Sequence, residues 1–186
     1  MRLFVAIEIP SEIRFALAAL VNELRPLAPA ARWVRAENLH VTLKFLGETD
    51  EAQLAQVRAA LVAIRSAQAV KLDFRGLGFF PNEKRPRVFW TGMEASPNVA
   101  PLAGGIDQAM QRLGFPKEER AFTPHLTLAR FNPPGIPTKL QAAVEQNQSR
   151  EFGSLTAAEF HLIESKLKPT GAEYTTLQSL PFVAEK

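Results

Sequence analysis

The chain has no cysteine in its 186 residues, which excludes disulfides, zinc–thiolate sites and a thiol nucleophile. Long apolar runs are missing as well, and none approaches the ~20 residues needed to span a bilayer. The apolar start, Met1 to Pro10, is too short for a secretory hydrophobic region followed by a cleavage site. Charge of one sign is scarce: 22 Lys and Arg stand against 19 Asp and Glu, a net +3. The resulting pI of about 9.4 is only a weak pointer to a polyanionic partner. These absences leave a soluble chain expected in the cytoplasm. Its 46% hydrophobic and 22% charged content is globular, and its length suits one domain or two small lobes sharing a core.

Histidine is nearly as rare, with three in the chain, yet two of them sit in almost identical text. Leu39-His40-Val41-Thr42-Leu43 and Pro124-His125-Leu126-Thr127-Leu128 both read His, apolar, Thr, Leu. With 10 Thr and 22 Leu available, a given His meets this pattern by chance roughly once in 150. In a strand, residues i and i+2 share a face. His40 and Thr42 therefore pair on one face, with Val41, Leu43 and Phe45 expected behind them. His125 and Thr127 repeat the arrangement in front of Leu126 and Leu128. Two imidazoles, the side chain whose ordinary pKa lies nearest neutrality, each with a hydroxyl companion, suit acid–base chemistry on a phosphate.

The surrounding pattern alternates strands and helices. Strand character covers 2–8, and a helix opens at Pro10-Ser11 and runs to Leu24, with Ser11 as its expected N-cap. The first motif strand covers 38–46 and is expected to stop at Gly47. Asp50 with Gln53 resembles a capping box for a helix reaching Ser66. Strands are expected at 70–74 and 87–91, with 76–81 and the basic run Lys84-Arg85-Pro86-Arg87 as a loop between them. A helix follows Pro97 to Leu113, then the second motif strand at 125–131. Asn132-Pro133-Pro134-Gly135 breaks the chain before a helix from Pro137 to Gln148. Two strands, 155–167 and 173–180, flank a hairpin turn at Pro169-Thr170-Gly171. No long linker divides the chain, so the expected architecture is α+β: two similar lobes of antiparallel or mixed sheet with helices packed on them.

Other residues divide between chemistry and structure. His161 lacks a threonine companion and reads as structural. Arg130 has the planar donor fork for a phosphate, but strict alternation puts it on the face opposite His125 unless a bulge re-aims it. Lys44 shares the His40 face by the same count and reads equally as solvated. Tyr174, Trp33, Phe79, Phe80 and Phe131 are able to stack on a base, though aromatics are more often core. The basic run at 84–87 suits a nucleic-acid groove or a solvated loop. Ser11 and Ser165 lack a nearby His–acid context, so a serine hydrolase has no support. Two histidines without cysteine or a paired acidic motif make a poor zinc site.

The two His-x-Thr-x segments make the chain resemble the 2H phosphoesterase superfamily. The flanking text narrows the likeness to the prokaryotic RNA 2′,3′-cyclic phosphodiesterases, also called 2′-5′ RNA ligases. It comprises Arg2-Leu3-Phe4-Val5-Ala6, Arg32-Trp33-Val34-Arg35, Glu37 through Glu48, Phe122 through Arg130, and Ser165 through Gly171 to Tyr174. The resemblance implies one two-lobed domain over 1–186 with pseudo-twofold symmetry and a central cleft. It also implies opening of RNA 2′,3′-cyclic phosphate ends to 2′-phosphomonoesters without metal or cofactor, with reverse ATP-independent 2′-5′ ligation by the same chemistry. Carried over by position, His40 is the general acid and His125 the general base. Thr42 and Thr127 are phosphate-oxygen donors, and Arg130 is an extra anion contact. The expected partner is RNA bearing cyclic phosphate termini, tRNA fragments among them, bound by a monomer away from membranes. Two rival readings stay open: a 2H enzyme for small cyclic nucleotides or oligonucleotide 3′ ends, and a non-catalytic module that holds RNA ends.

Overall fold

A computed structural model describes residues 1–64, 69–169 and 171–182. The elements in chain order are β1 (Arg2–Glu8), α1 (Ser11–Leu24), β2 (Arg32–Trp33), β3 (His40–Glu48), α2 (Glu51–Val62), β4 (Val70–Phe80) and β5 (Val88–Ala95). They continue with α3 (Val99–Arg112), β6 (His125–Arg130), α4 (Thr138–Gln146), β7 (Glu151–Ala157), β8 (Glu159–Lys168) and β9 (Gly171–Pro181). Two antiparallel sheets result, ordered β3-β1-β8-β9 and β2-β6-β5-β4-β7. The α+β architecture expected from the alternating pattern is present, and each motif strand belongs to a different sheet.

The sheets interlock rather than follow the two halves of the chain. β2, from the N-terminal half, adds to the edge of the five-stranded sheet beside β6, while β8 and β9 return to pair with β1. β1 is buried on both faces, as its unbroken apolar text demands. Leu3, Val5 and Ile7 enter the main core, while Phe4 and Ala6 join Ile163 in a small cluster on the opposite face, with Tyr174 packed against it. The main core also takes Ile13, Leu17 and Leu20 from α1, Leu102 and Ile106 from α3, and Leu126 and Leu128 from β6. The helices thus cover one face of the sheets, and the motif faces look the other way.

Several local expectations are corrected. The N-cap of α1 is Pro10 rather than Ser11, and it makes no side-chain cap bond. The capping box of α2 does form: Gln53 N donates to Asp50 Oδ1 at 2.8 Å and Asp50 N to Gln53 Oε1 at 3.2 Å. That helix ends at Val62, and Ser66 lies outside the described residues. Gly47 does not stop β3 but sits within it at φ 76°, beside a break in the pairing register. A positive φ there strains any residue with a Cβ. The glycine-rich text at 76–80 continues β4 instead of looping. The single strand expected over 155–167 divides at Ala158, so that β7 pairs with β4 in one sheet and β8 with β1 in the other. No glycine or proline marks that crossing. Lys168 pairs with Gly171, so the hairpin forms as expected, although Thr170 lies outside the described residues.

Candidate active site

Both motif histidines are oriented by the same device. His40 Nδ1 lies 2.8 Å from the carbonyl of Asn38, and His125 Nδ1 lies 2.8 Å from the carbonyl of Thr123. In each case the acceptor is the residue two places earlier. A carbonyl only accepts, so Nδ1 carries the proton and Nε2 is the nitrogen left free to take or give one. Asn38 is itself held, its side-chain amide donating to the carbonyl of Ala172 at 2.8 Å.

The pairing register decides which side chains share the motif face, and here strict alternation fails in the same way twice. Along β3, Thr42 pairs with Ala6 but Lys44 with Val5, so Leu43 is an extra residue, a β-bulge. Beyond it the faces exchange. Lys44 turns to the core with Val5, and Phe45 joins Phe4 on the His40 face. Lys44 is 4% exposed and bonds Asp107 Oδ1 and the carbonyl of Pro116, each at 2.6 Å, so it is neither solvated nor beside His40. Phe45 was expected behind the motif, yet it is 63% exposed, with its ring 6.1 Å from Phe4.

On β6, His125 pairs with Gly92, Thr127 with Trp90 and Arg130 with Val88, so Leu128 is the extra residue. Gly92, Trp90 and Val88 alternate regularly along β5 and share one face. His125, Thr127 and Arg130 therefore share one face too, and the bulge overturns the opposite-face count for Arg130. Arg32 lies directly across from Arg130 on β2. Like charges set opposite one another are unfavourable without an anion between them. Among the described residues neither guanidinium forms an ion pair with a carboxylate.

The two motif strands come from different sheets and touch one another. Within the five-stranded sheet the amide of Val34, just after β2, continues the pairing with β6 by donating to the carbonyl of Leu128 at 2.9 Å. Tyr174, on β9 in the four-stranded sheet, packs edge-on against His40 with ring centroids 5.2 Å apart. Burial raises the Tyr174 hydroxyl above its ordinary 10.0, while the charges of Arg130 and Arg2 pull it down. The charge of Arg130, on the other sheet, thus reaches the ring that touches His40. Burial against Phe4 and Tyr174 lowers the His40 imidazole below its ordinary 6.5; the Asn38 carbonyl and the Glu8 carboxylate oppose that shift. His125 is exposed.

The hydroxyls complete the arrangement. Thr42 and Thr127 are half-buried, and among the described residues neither hydroxyl has a protein partner. Thr91, buried on the core side of β5, instead donates to the carbonyl of Gly76 at 2.8 Å. His161 is buried in β8 with Nδ1 3.1 Å from Ser179 Oγ, a structural position as expected. Trp33 and Phe131 belong to or pack against the core. Among the described residues no three His, Asp or Glu side chains form a metal-binding group. Arg32 and Trp90 on the motif faces were given no role by the sequence reading, and Phe45 was set on the opposite face, since only the bulges and the cross-strand register place them there.

A family model described as LigT like phosphoesterase matches residues 7–90 and 93–174, each span holding one His/Thr pair. An RNA 2′,3′-cyclic phosphodiesterase of Archaeoglobus fulgidus is 34% identical over 181 residues, covering 96% of this chain and 98% of the relative. A protein of the same name from Methanocaldococcus jannaschii is 35% identical over 178 residues, covering 96% and 99%. A crystal structure of a Thermus thermophilus protein aligns over 100% of both chains with TM-score 0.82 and 32% identity. E. coli LigT complexed with 3′-AMP aligns over 97% of each chain with TM-score 0.77 and 29% identity. With both motif halves matched to one model and relatives aligned nearly end to end, this chain belongs to the LigT-like phosphoesterase family.

Proposed function

We propose that this protein opens RNA 2′,3′-cyclic phosphate ends to 2′-phosphomonoesters by two-histidine acid–base catalysis, the whole chain acting as one two-lobed domain. The observation that carries the reading is the matched pair of imidazoles. Each is held through Nδ1 on a backbone carbonyl and stands beside an unpartnered threonine hydroxyl. The relatives named RNA 2′,3′-cyclic phosphodiesterase supply the substrate class.

The non-bridging oxygens of the cyclic diester accept hydrogen bonds from Thr42 and Thr127, with Arg130 neutralising the anion. His125 Nε2 takes a proton from water as the water oxygen attacks phosphorus. The bond from phosphorus to O3′ breaks, and His40 Nε2 gives its proton to the departing oxygen, leaving phosphate on O2′. Each positioned proton transfer contributes ~10²–10⁴-fold. The assignment of acid to His40 and base to His125 follows the family resemblance. Because burial disfavours the His40 cation, its proton is held by the phosphate anion that docks beside it. An RNA 5′-hydroxyl in place of water runs the same step toward a 2′-5′ linkage, using the strain of the cyclic ester instead of ATP.

We read the enzyme as a cytoplasmic monomer acting on cyclic-phosphate RNA, tRNA fragments included. Among the described residues no helix is long and apolar enough to cross a membrane. The deciding experiment incubates the purified protein with a 2′,3′-cyclic-phosphate oligoribonucleotide and identifies the oxygen that keeps the phosphate. A 2′-monophosphate is expected, with turnover lost in His40→Asn and in His125→Asn while circular dichroism is unchanged. A 3′-monophosphate product, or turnover retained in either variant, refutes the reading. Binding without turnover across pH 5–8 selects the non-catalytic RNA-end module instead.

A further inference from the structure

The face that carries His125 and Thr127 does not end at β6. Trp90 on β5 is the direct cross-strand partner of Thr127, and Gly78 on β4 is the direct partner of Trp90. Gly92, the partner of His125, lies two residues along from Trp90 on the same face. The indole occupies the space these two glycines leave. A Cβ on Gly78 would stand 2.3 Å from Trp90 Cζ2 and 2.5 Å from Cη2, and one on Gly92 would stand 3.0 Å from Cζ3. Glycine at both positions lets the ring lie over the sheet, with one edge against Gly92 on β5 and the other over Gly78 on β4.

Past the indole opens a groove of about 550 Å³ lined by Leu77, Gly78, Phe79, Asn82, Glu83, Lys84 and Trp90. Its outer wall is the loop after β4, whose tip is fixed by Asn82: the side-chain oxygen accepts from the amides of Lys84 and Arg85, both at 3.0 Å. Arg120 adds a further cation, its guanidinium 5.0 Å from the centre of the Phe80 ring at the base of that loop. The groove therefore has an aromatic floor, a polar edge in Asn82 and Glu83, and the cation of Lys84 on its lining, with Arg85 next in the chain. Two strand spacings separate β6 from β4, about 10 Å, so the groove lies beyond the phosphate held at Thr127 but within reach of the next nucleotide.

We infer that this groove binds the nucleotide 5′ of the cyclic end, with its base stacked on Trp90 and its backbone run along the Lys84–Arg85 rim. Aromatic stacking combined with a basic track is how single strands are held. Glu83 on the lining suits a base edge rather than a second phosphate, because a carboxylate accepts from exocyclic amino groups and repels anions. The inference rests on the proposed activity and extends it. The enzyme reads an RNA strand and not only its terminal nucleoside.

Steady-state kinetics on a nucleoside 2′,3′-cyclic phosphate and on a trinucleotide with the same end test it. In Trp90→Ala the preference for the trinucleotide, as a ratio of kcat/KM values, is expected to fall by roughly 5- to 100-fold. The change should fall on KM, and Trp90→Phe should restore most of it. Gly78→Leu, which displaces the indole and fills the groove, should lower the same ratio. An unchanged ratio in both Trp90→Ala and Gly78→Leu, or an equal loss on both substrates, overturns the inference. Fluorescence separates this from a failure of the activity itself. A trinucleotide ending in a 2′-phosphate should quench emission that is present in the wild type and absent from Trp90→Phe, and a nucleoside 2′-phosphate should not. That quenching without turnover of cyclic ends refutes the activity while supporting the groove; turnover without quenching does the reverse.

Discussion

Lys44→Met removes the cation from a nearly closed ion pair while keeping most of the side chain's length. Lys44 is 4% exposed and its partner Asp107 15%. The Asp107 carboxylate also accepts from Gln111 Nε2 at 2.7 Å and from the Glu118 amide at 3.1 Å. Breaking a buried pair from one side costs about 3–5 kcal/mol, because the remaining charge stays out of water. Two neutral donors and a solvent-facing edge remain to Asp107, so the lower end, about 3 kcal/mol, is expected. In a chain of this length that corresponds to a melting temperature lower by roughly 6–12 °C. Adding Asp107→Leu should recover most of the loss, since an apolar replacement of a whole buried pair is often neutral.

Urea unfolding of the wild type, both single variants and the double variant closes the cycle. The dependence on pH has a definite sign. Burial pushes the Asp107 carboxyl up, but the bonds from Lys44, Glu118 and Gln111 and the charge of Lys44 outweigh it and hold the group below its ordinary 3.8. A depressed carboxylate contributes stability above its unfolded value and loses it as pH falls through the folded one. The gap between wild type and Lys44→Met should thus be full near neutrality and narrow in strong acid. The pair also anchors Pro116 and Glu118, on the irregular segment leading to Thr123, whose carbonyl orients His125. Loosening that segment should lower kcat about tenfold or more. A cost under 1 kcal/mol, or strictly additive single variants, would mean that Lys44 is solvated after all, and the bulge argument would fall with it.

Three further outcomes follow from the same geometry. By NMR, the His40 ring in the free protein should titrate below 6.5 and rise when a 2′-phosphate end is bound; a midpoint at or above 6.5 without ligand contradicts the burial argument. Tyr174 is the only tyrosine, so ultraviolet titration of the whole protein reports it alone. Its midpoint should exceed 10.0 and climb further in Arg130→Met, which should also raise KM for the cyclic end by about tenfold or more; a Tyr174 midpoint indifferent to Arg130 would separate the two walls. Turnover should survive EDTA, since two histidines without cysteine or a paired acidic motif make a poor zinc site; loss on chelation reversed by zinc would replace the acid–base pair with metal chemistry.

The candidate site was legible in the sequence because it is local: a histidine, a threonine two residues on, and an apolar residue between them define one face of a strand without further help. What escaped is what depends on the neighbouring strand. Leu43 and Leu128 are ordinary leucines, and nothing in the text marks either as the extra residue of a bulge. Each nevertheless exchanges the faces of everything after it, turning Lys44 inward and bringing Phe45 and Arg130 forward. The floor beside Thr127 was hidden for the same reason. Nothing in the text singles out Trp90 until Gly78 is set beside it and Gly92 is shown to share its face by the register. The glycines at 76–80 suggested a loop by composition, yet Gly78 is there to admit an indole rather than to bend the chain.

The matching bulges also bear on how a nearly symmetric site acquires direction. Two copies of His-x-Thr, each oriented by the carbonyl two residues earlier, give no reason for one imidazole to be acid and the other base. The residue five places after each histidine does differ. The bulge brings Phe45 forward on one wall and Arg130, flanked by Arg32, forward on the other. One imidazole is packed between the Phe4 and Tyr174 rings, where burial disfavours its cation, and the other faces solvent. A phosphate drawn to the Arg130 side and a sugar resting on the Phe45 side would present O3′ to His40 and the open face of phosphorus to His125. On the proposed activity, direction would then come from the asymmetry of the walls. Exchanging the two residues, Phe45→Arg with Arg130→Phe, should depress kcat by more than the loss of the Arg130 charge alone, as a kinetic comparison with Arg130→Met would measure. Equal kcat values for the exchange and for Arg130→Met would leave the walls without a role in orienting the substrate.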